Sequence, residues 1–191
     1  MEFLTGLGNT IARLPQNLSD RWLVLRAQKG DSQAFGQLYL KYLDKIYRYV
    51  YFRVRCQREE AEDLTEQIFY RAWEGLEKFD FKKGTFQAWL YRIAHNLVID
   101  HHRQAAKKKE MPLQVDFPDG SDLLGDLKSE EKRQALTTAL GKLSGDQQQV
   151  IILKFIEEMS NSDISLIMNK KEEAVRALQS RALKRLRKLL I

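Results

Sequence analysis

Two histidines beside an aspartate are the residues of this sequence whose chemistry stands out. Asp100, His101 and His102 form the Asp-His-His core of a phosphoesterase metal motif. Such a site needs further ligands on other loops, and the chain has three histidines in all. On a helix, His95 and His102 share a face but lie about 10 Å apart at ~1.5 Å per residue, whereas zinc lies about 2 Å from its ligand nitrogens. We therefore predict no metal, no cofactor and no catalytic residue, and interpret the histidines as a solvated or phosphate-facing helix end.

The histidines close a segment with the periodicity of an amphipathic helix. The apolar stripe of this segment is predicted to pack in a core and consists of Phe86, Trp89, Leu90, Ile93 and Leu97. The preceding segment, 61–79, has the same period, with an acidic face opposite its apolar stripe. Residues 80–84 interrupt the pattern, so they are predicted to separate two helices.

Helical spacing continues through most of the chain, with no pair of alternating runs joined by a hairpin signal. Asp31 is placed to cap a helix that holds five of the seven tyrosines. We interpret these tyrosines as core residues rather than base-stacking residues. Breaks near Ser144, Ser160 and Asn169 divide the second half into short helices before one long basic helix. The sequence therefore predicts an all-α fold.

Charge is concentrated in three zones of the sequence. The formal net charge is +6. Segment 170–188 has eight Lys or Arg residues against two Glu, and segment 82–109 has seven against one Asp. Segment 59–77 has seven acidic residues against one Arg. The two basic zones favour a polyanionic partner, and the acidic zone forms a separate face.

Aromatic and lysine side chains meet at the break between the two predicted helices. The residues are Phe79, Asp80, Phe81, Lys82 and Lys83. A site for single-stranded nucleic acid combines stacking surfaces with a cationic groove. An ordinary interhelical turn anchored by one Phe explains the same residues, so both interpretations stay open at this point.

Composition also indicates where a linker lies in the chain and in which cellular compartment the protein is expected. Segment 104–130 holds two of the three prolines together with several Asp and Gly residues, which is typical of a linker. Cys56 is the lone cysteine, which excludes an internal disulfide and a cysteine-based zinc site. The first 20 residues lack the pattern of a signal peptide, and no apolar run approaches the roughly 18 residues of a membrane span. We expect a cytoplasmic protein with no membrane span.

The order of elements near the end is that of a helix-turn-helix. An apolar segment at 164–168 is followed by a polar turn at 169–171 and a basic helix. Such a motif presents the first turns of its second helix to base edges, while Lys and Arg side chains contact phosphates. A basic amphipathic helix also suits a membrane surface or a partner protein, which is the alternative.

Three stretches of the chain resemble one family. AEDLTEQIFYRAW, KGTFQAWLYRIAHNLVIDHHR, and ALGKLSGDQQQVIILKFIEEMSNSDISLIM with AVRALQSRALKRLRKLL closely resemble small bacterial RNA polymerase sigma factors of the extracytoplasmic-function (ECF) type. The resemblance implies two all-helical domains joined by a flexible linker. Residues 1–22 would be an N-terminal extension, 23–103 region 2, 104–130 the linker and 131–191 region 4.

The resemblance also implies which residues bind each partner. Asp63, Glu66 and Gln67 would dock on the clamp coiled coil of core RNA polymerase, which also contacts sigma through its flap. The minus-ten element, as duplex and as non-template single strand, would be bound by Phe79, Asp80, Phe81, Lys82, Lys83, Arg92, Asn96 and Arg103. The minus-thirty-five element would be bound by Lys170, Lys171, Glu173, Ala174, Arg176, Ala177, Ser180 and Arg181.

Three positions depart from the common family pattern. Ser165 replaces an Ala, Asn169 replaces a Gly, and Ala174 replaces a Thr whose hydroxyl is a DNA contact. Asn tolerates the left-handed conformation of the turn. The function implied is promoter-directed transcription initiation without enzymatic activity, in some family members under an anti-sigma factor. A stand-alone helix-turn-helix regulator is the alternative.

Overall fold

The computed structural model of the chain describes residues 20–54, 57–107 and 130–190. Cys56 and most of the predicted N-terminal extension and linker lie outside the described residues. Within these ranges the chain forms eight α-helices and no strand, which confirms the all-α prediction. The helices are α1 (Asp20–Ala27), α2 (Ser32–Arg53), α3 (Arg58–Gly75), α4 (Phe86–Lys107), α5 (Glu130–Gly141), α6 (Gly145–Ile151), α7 (Asn161–Met168) and α8 (Glu172–Leu190). We call α1–α4 the first unit and α5–α8 the second unit.

Asp31 caps α2, as the sequence predicts. Its side chain accepts a hydrogen bond from Ala34 N at 3.1 Å and another from Arg26 Nε at 2.8 Å. The backbone bond from Ala34, with a smaller contribution from Arg26, lowers the pKa of Asp31. An N-cap of this kind satisfies a backbone N–H group that has no partner within the helix. The helix therefore begins where its local hydrogen bonding dictates.

The tyrosine-rich helix α2 contributes to the core of the first unit, as predicted. Tyr42, Tyr49 and Tyr51 are buried. The ring of Tyr49 lies 5.3 Å from that of Tyr91 in α4, edge to face, an arrangement that adds about 0.5–1.5 kcal/mol to burial. The buried members of the predicted stripes of α3 and α4 are Leu64, Ile68, Phe69, Ala72, Leu76, Phe79, Phe86, Leu90 and Leu97.

The break between α3 and α4 consists of two 3-10 turns, Leu76–Lys78 and Phe81–Lys83. Asp80 caps the second turn, since its carboxylate accepts from Lys82 N at 2.9 Å. Thr85 then caps α4 through Ala88 N at 3.1 Å. The helix continues to Lys107, into the segment predicted as linker, because Ala105 and Ala106 are strong helix formers.

Two helices of the second unit, α6 and α7, begin at breaks that the sequence predicts. Ser144 forms a capping box with Gln147 at the start of α6, and Ser160 Oγ accepts from Asp163 N at 3.0 Å at the start of α7. A π turn, Ile152–Ile156, extends α6. Asn169 ends α7 in the left-handed conformation, with φ 51° and ψ 47°, so the Asn in place of Gly supports the turn. Helices α7 and α8 form the predicted helix-turn-helix.

The two units pack against each other through α2, α4 and α7. Arg53 of α2 donates to the carbonyl oxygen of Gly145 at 2.7 Å, and Gln148 of α6 donates to the carbonyl oxygen of Phe52 at 2.9 Å. The sequence made no prediction of this arrangement. It brings α7 alongside the break between α3 and α4.

Candidate nucleic-acid interface

The outer face of α3 is acidic and exposed. Asp63, Glu66 and Gln67 are all exposed, while Leu64 and Ile68 on the opposite face are buried. The helical period thus places the three predicted polymerase-binding residues together on one accessible surface. A rigid helix with carboxylates on its outer face is suited to a basic partner surface.

A cleft of about 290 Å³ lies where the break between α3 and α4 meets the first turns of α4. Its wall includes five of the eight residues predicted for the minus-ten element, namely Phe79, Asp80, Lys83, Arg92 and Asn96. The cleft combines an aromatic wall with one carboxylate, one amide and cationic side chains. These groups are those needed to hold an unstacked base and its phosphate.

Phe79 is a core residue as well as part of the cleft wall. It is 8% exposed, and its ring lies 4.8 Å from Phe81 and 5.0 Å from Trp89. The burial of Phe79 supports the anchoring role, and its place in the cleft wall is compatible with a contact to a base as well. Phe81 is half-buried and does not line the cleft.

Trp89 and Leu166 line the cleft although neither was predicted as a site residue. Trp89 and Ile93 belong to the predicted apolar stripe, and both pack against the core while also lining the cleft. Their position at the edge of the apolar stripe was the available signal. Leu166 belongs to α7 of the second unit, so no pattern within the first unit indicates it.

The remaining predicted cations lie outside the cleft on accessible surface. Lys82 is exposed on the second 3-10 turn. Arg103 is exposed further along α4, and its Nη1 lies 3.6 Å from Asp100 Oδ1. A loose pair of this kind contributes little to stability. Both side chains are thus accessible to a phosphate backbone.

The histidines at the end of α4 contact protein groups, yet His102 is exposed and His101 is partly exposed. A solvated helix end is thus consistent with the structure, and a contact to phosphate stays a prediction. His101 Nε2 lies 2.9 Å from Glu60 Oε2, and His102 Nε2 lies 3.0 Å from the carbonyl oxygen of Arg53. Both contacts join α4 to neighbouring helices. In the part of the chain that the structure describes, no three His, Cys, Asp or Glu side chains converge as a metal site requires.

His95 lies in the middle of α4 near the second unit. Burial lowers its pKa to about 4, and the charges of Arg53 and Lys170 act in the same direction, against Asp146. The neutral imidazole is favoured in this position because burial penalises the charged form.

Helix α8 presents its predicted DNA-binding side chains to the outside. Lys171, Glu173, Ala174, Arg176, Ala177, Ser180 and Arg181 are exposed. Lys170, at the turn, is half-buried and its Nζ lies 3.1 Å from Asp146. Behind this surface, Val175, Ala182 and Leu186 are buried. The helix therefore has one face buried in the core and one face accessible to solvent.

None of the helices in the described ranges has the length and apolar character needed to cross a membrane.

The fold and these surfaces define a helical protein with an exposed acidic helix face, a cleft lined by aromatic and polar side chains, and a helix-turn-helix. Two family models match the chain in the same order, Sigma-70 region 2 at residues 38–108 and Sigma-70, region 4 at residues 133–186. SigW of Bacillus subtilis, an ECF RNA polymerase sigma factor, is 32% identical over 178 residues, which cover 87% of this chain and 94% of SigW. The chain belongs to the ECF family of RNA polymerase sigma factors. The resemblance seen in the sequence is thereby confirmed.

Other relatives agree with this family. The ECF sigma factor BldN of Streptomyces coelicolor is 36% identical over 175 residues, 88% of this chain but 64% of BldN, so the chain spans less than two thirds of that protein. The structure of CnrH in complex with the cytosolic domain of CnrY is 27% identical, with a TM-score of 0.67 over 90% of this chain and 96% of CnrH. The sigma factor RpoE of Bartonella quintana, solved with the anti-sigma factor NepR, shares the fold at a TM-score of 0.66 and 24% identity, over 82% of this chain and 96% of RpoE.

Proposed function

We propose that this sigma factor directs core RNA polymerase to a two-part promoter and helps to open it at the cleft between α3 and α4. The observation that carries the proposal is the cleft itself, because it joins an aromatic wall to the polar groups of Asp80 and Asn96. Family membership supplies the class of function. The roles of individual residues are inferred from their accessibility and charge.

Capture of an unstacked base is the mechanism that the cleft supports. Extruding a base from the duplex costs a few kcal/mol, and each stacked base regains about 1–3 kcal/mol. Trp89 and Phe79 provide apolar surface, and Asn96 and Asp80 provide hydrogen-bonding groups for a base edge. Phosphates of the minus-ten element are contacted by a basic rim made up of Lys82, Lys83, Arg92 and Arg103.

The acidic face of α3 docks on the polymerase. Asp63, Glu66 and Gln67 are exposed together on a helix whose other face is buried. Their partner is a basic surface of the clamp coiled coil, and charge complementarity supplies orientation and association rate. DNA binding and polymerase binding thus use separate surfaces of the first unit.

The minus-thirty-five element is read by α8. Its first turns carry the exposed side chains that face base edges, and its later cations contact phosphates. Ala174 offers a methyl group where the family commonly has a hydroxyl, so the base preference at its contact differs from the usual one. The second unit contacts the polymerase flap when α8 is on DNA.

The wider assignment follows from the family. We infer that the protein acts in the cytoplasm, has no enzymatic activity of its own, and consists of region 2 at 23–103 and region 4 at 131–191. An anti-sigma factor is a further inferred partner, supported by the CnrH relative, which was solved with the cytosolic domain of CnrY.

In vitro transcription with purified core polymerase on a genomic library, read by mapping 5′ ends, tests this function. We expect transcripts that start downstream of one shared two-part sequence and depend on the added protein. Duplex binding by the free protein without any start sites would instead identify a stand-alone regulator. Failure to form a complex with core polymerase would overturn the proposal.

A further inference from the structure

Glu157 is a buried acid that joins the two units. It follows the π turn of the second unit, and its side chain is 0% exposed. Arg48 of α2 donates to both carboxylate oxygens, from Nε at 2.8 Å and from Nη2 at 3.2 Å. Tyr91 of α4 donates its hydroxyl to Oε2 at 2.7 Å. All three bonds cross from the first unit to the second, and we call this group of three residues the Glu157 latch.

Within the Glu157 latch the carboxylate is shielded from water, while the Arg48 side chain is 26% exposed. The bond to Glu157 raises the pKa of Arg48, and burial followed by the charge of Glu157 raises the pKa of Tyr91. Both donors therefore keep their protons. A buried carboxylate is tolerated only when it is paired and hydrogen-bonded. Separation of the units would expose the Glu157 carboxylate, and water would then replace Arg48 and Tyr91 as its hydrogen-bond donors.

The latched arrangement places α7 beside the cleft. Leu166 of α7 lines it together with Phe79, Trp89 and Asn96. The contact with the break is close, since a Cβ built on Gly84 would lie 3.0 Å from Leu166 Cδ1. This side chain of the second unit takes up space at the edge of the proposed base-binding site.

A carboxylate of α7 stands at the same edge. Thr85 Oγ1 donates to Asp163 Oδ1 at 3.1 Å. A negative charge there repels an incoming phosphate. With Leu166, this contact makes the latched arrangement unfavourable for DNA at the cleft.

The interface between the two units contains hydrogen bonds as well as apolar contacts. Its contacts include the bonds of Arg53 to Gly145 and of Gln148 to Phe52. Leu166 keeps 41% of its surface exposed even in this arrangement. Hydrogen bonds between domains of one chain can be exchanged for bonds to water when the domains move apart.

We propose that the protein has a self-inhibited closed state, in which the Glu157 latch holds α7 beside the cleft, and that release of Glu157 from Arg48 and Tyr91 precedes promoter binding. This inference rests on the proposed role of the cleft in binding the minus-ten element. In this closed state a segment of the same chain, α7, restricts access to the cleft, so no second protein is needed.

Distance measurements on the full chain test the latch without DNA or polymerase. Spin labels are placed at Arg71→Cys on α3 and Lys184→Cys on α8, both exposed, in a Cys56→Ser background. Glu157→Gln removes the charge, so we expect the population with long, broad distances to rise by on the order of tenfold. Glu158→Gln, an equal loss of charge at an exposed position, is the matched control and should keep the narrow distribution. Identical distributions for the two variants would overturn the latch.

Reversible cross-linking tests the inhibition. Thr85→Cys/Asp163→Cys, in the same background, is joined by a short bis-methanethiosulfonate reagent that dithiothreitol cleaves, with each single variant carrying the reagent as control. We expect the cross-linked protein with core polymerase to lose promoter opening and the cleaved protein to regain it. Full opening by the cross-linked protein would overturn the inference. Loss of opening in the cleaved protein and both controls would count against the proposed function of the cleft, and the distance measurement alone would then decide whether the latch exists.

Discussion

His101 Nε2 lies 2.9 Å from Glu60 Oε2, and this contact fastens the end of α4 to the first turn of α3. This contact gives a structural explanation for His101, a residue whose Asp-His-His sequence pattern is also found in metal sites. The imidazole therefore has a structural role, and a substitution of His101 can measure how much the contact contributes to the free energy of unfolding.

Replacing His101 with Ala should lower the free energy of unfolding by about 0.5–1 kcal/mol, because both side chains of the pair are partly exposed. Urea unfolding measures the change. Gln104→Ala, exposed on the same helix, is the control and should have a smaller effect. A chelator should alter neither protein, and chelator-sensitive hydrolysis of phosphoesters would return the histidines to a metal site.

Acid should weaken the fold through His95. Burial, followed by the charge of Arg53, lowers its pKa from 6.5 to about 4, with Asp146 and Lys170 also facing it. Between these values the unfolded chain binds a proton that the folded chain does not, so stability rises with pH across this window and the contribution is complete above 6.5. Thermal unfolding should show a lower midpoint at about pH 5 than at about pH 7, and a smaller difference in His95→Gln. Equal differences in the two proteins would contradict this assignment.

Reversing charge on the acidic face should separate polymerase binding from folding. Asp63→Arg places a cation in the centre of the exposed face of α3, and we expect affinity for core polymerase to fall by on the order of tenfold or more. Glu158→Arg makes the same change in charge away from the acidic face and should lower affinity less. Fluorescence anisotropy of labelled protein titrated with core enzyme measures both. Equal affinities for the two variants would remove Asp63 from the docking surface.

Truncating Arg176 should weaken promoter recognition and spare polymerase binding. Its guanidinium is exposed near the start of α8 and lies 3.7 Å from Glu172 Oε2, so it is accessible to a base edge. A base contact of this type is worth about 1–3 kcal/mol, which the holoenzyme should lose on promoter DNA in a filter-binding titration. Arg187→Ala, exposed near the end of the same helix, should have the smaller effect. If Arg176→Ala lost affinity for core enzyme, the division between the two units would be wrong.

The left-handed backbone at Asn169, in the turn before α8, should determine which residue types are tolerated at this position. Asn169 has φ 51° and ψ 47°, a region that costs a β-branched residue roughly 1–2 kcal/mol. We expect Asn169→Val to lower the thermal midpoint and Asn169→Gly to leave it nearly unchanged. A greater loss with Gly than with Val would show that the Asn side chain, not its backbone, stabilises the turn.

Local hydrogen bonding explains which parts of the fold the sequence could predict. The caps at Asp31 and Ser160 and the turn at Asn169 depend on neighbours within a few residues, so residue type and spacing were sufficient. The exposed faces of α3 and α8 follow from helical period. These elements carry most of the predicted site residues.

Contacts between distant elements explain what the sequence could not predict. The burial of Phe79 depends on Trp89 from the next helix, so its spacing suited both a stacking surface and an anchor. Leu166 reaches the cleft from the second unit, and Glu157 contacts α2 and α4 from a position with no motif. Such contacts depend on how distant elements pack against each other. The periodicity within one helix does not predict that packing.

The π turn before Glu157 has a consequence for evolution. Glu157 N donates to the carbonyl oxygen of Ile152 at 3.0 Å, a bond that encloses one residue more than an α-helical turn. Loss of one codon within 152–156 would restore an α-helical turn and rotate the following residue by about 100°, away from Arg48 and Tyr91. A single in-frame deletion is therefore enough for a lineage to lose this link between the units while every residue of α2, α4 and α8 stays the same.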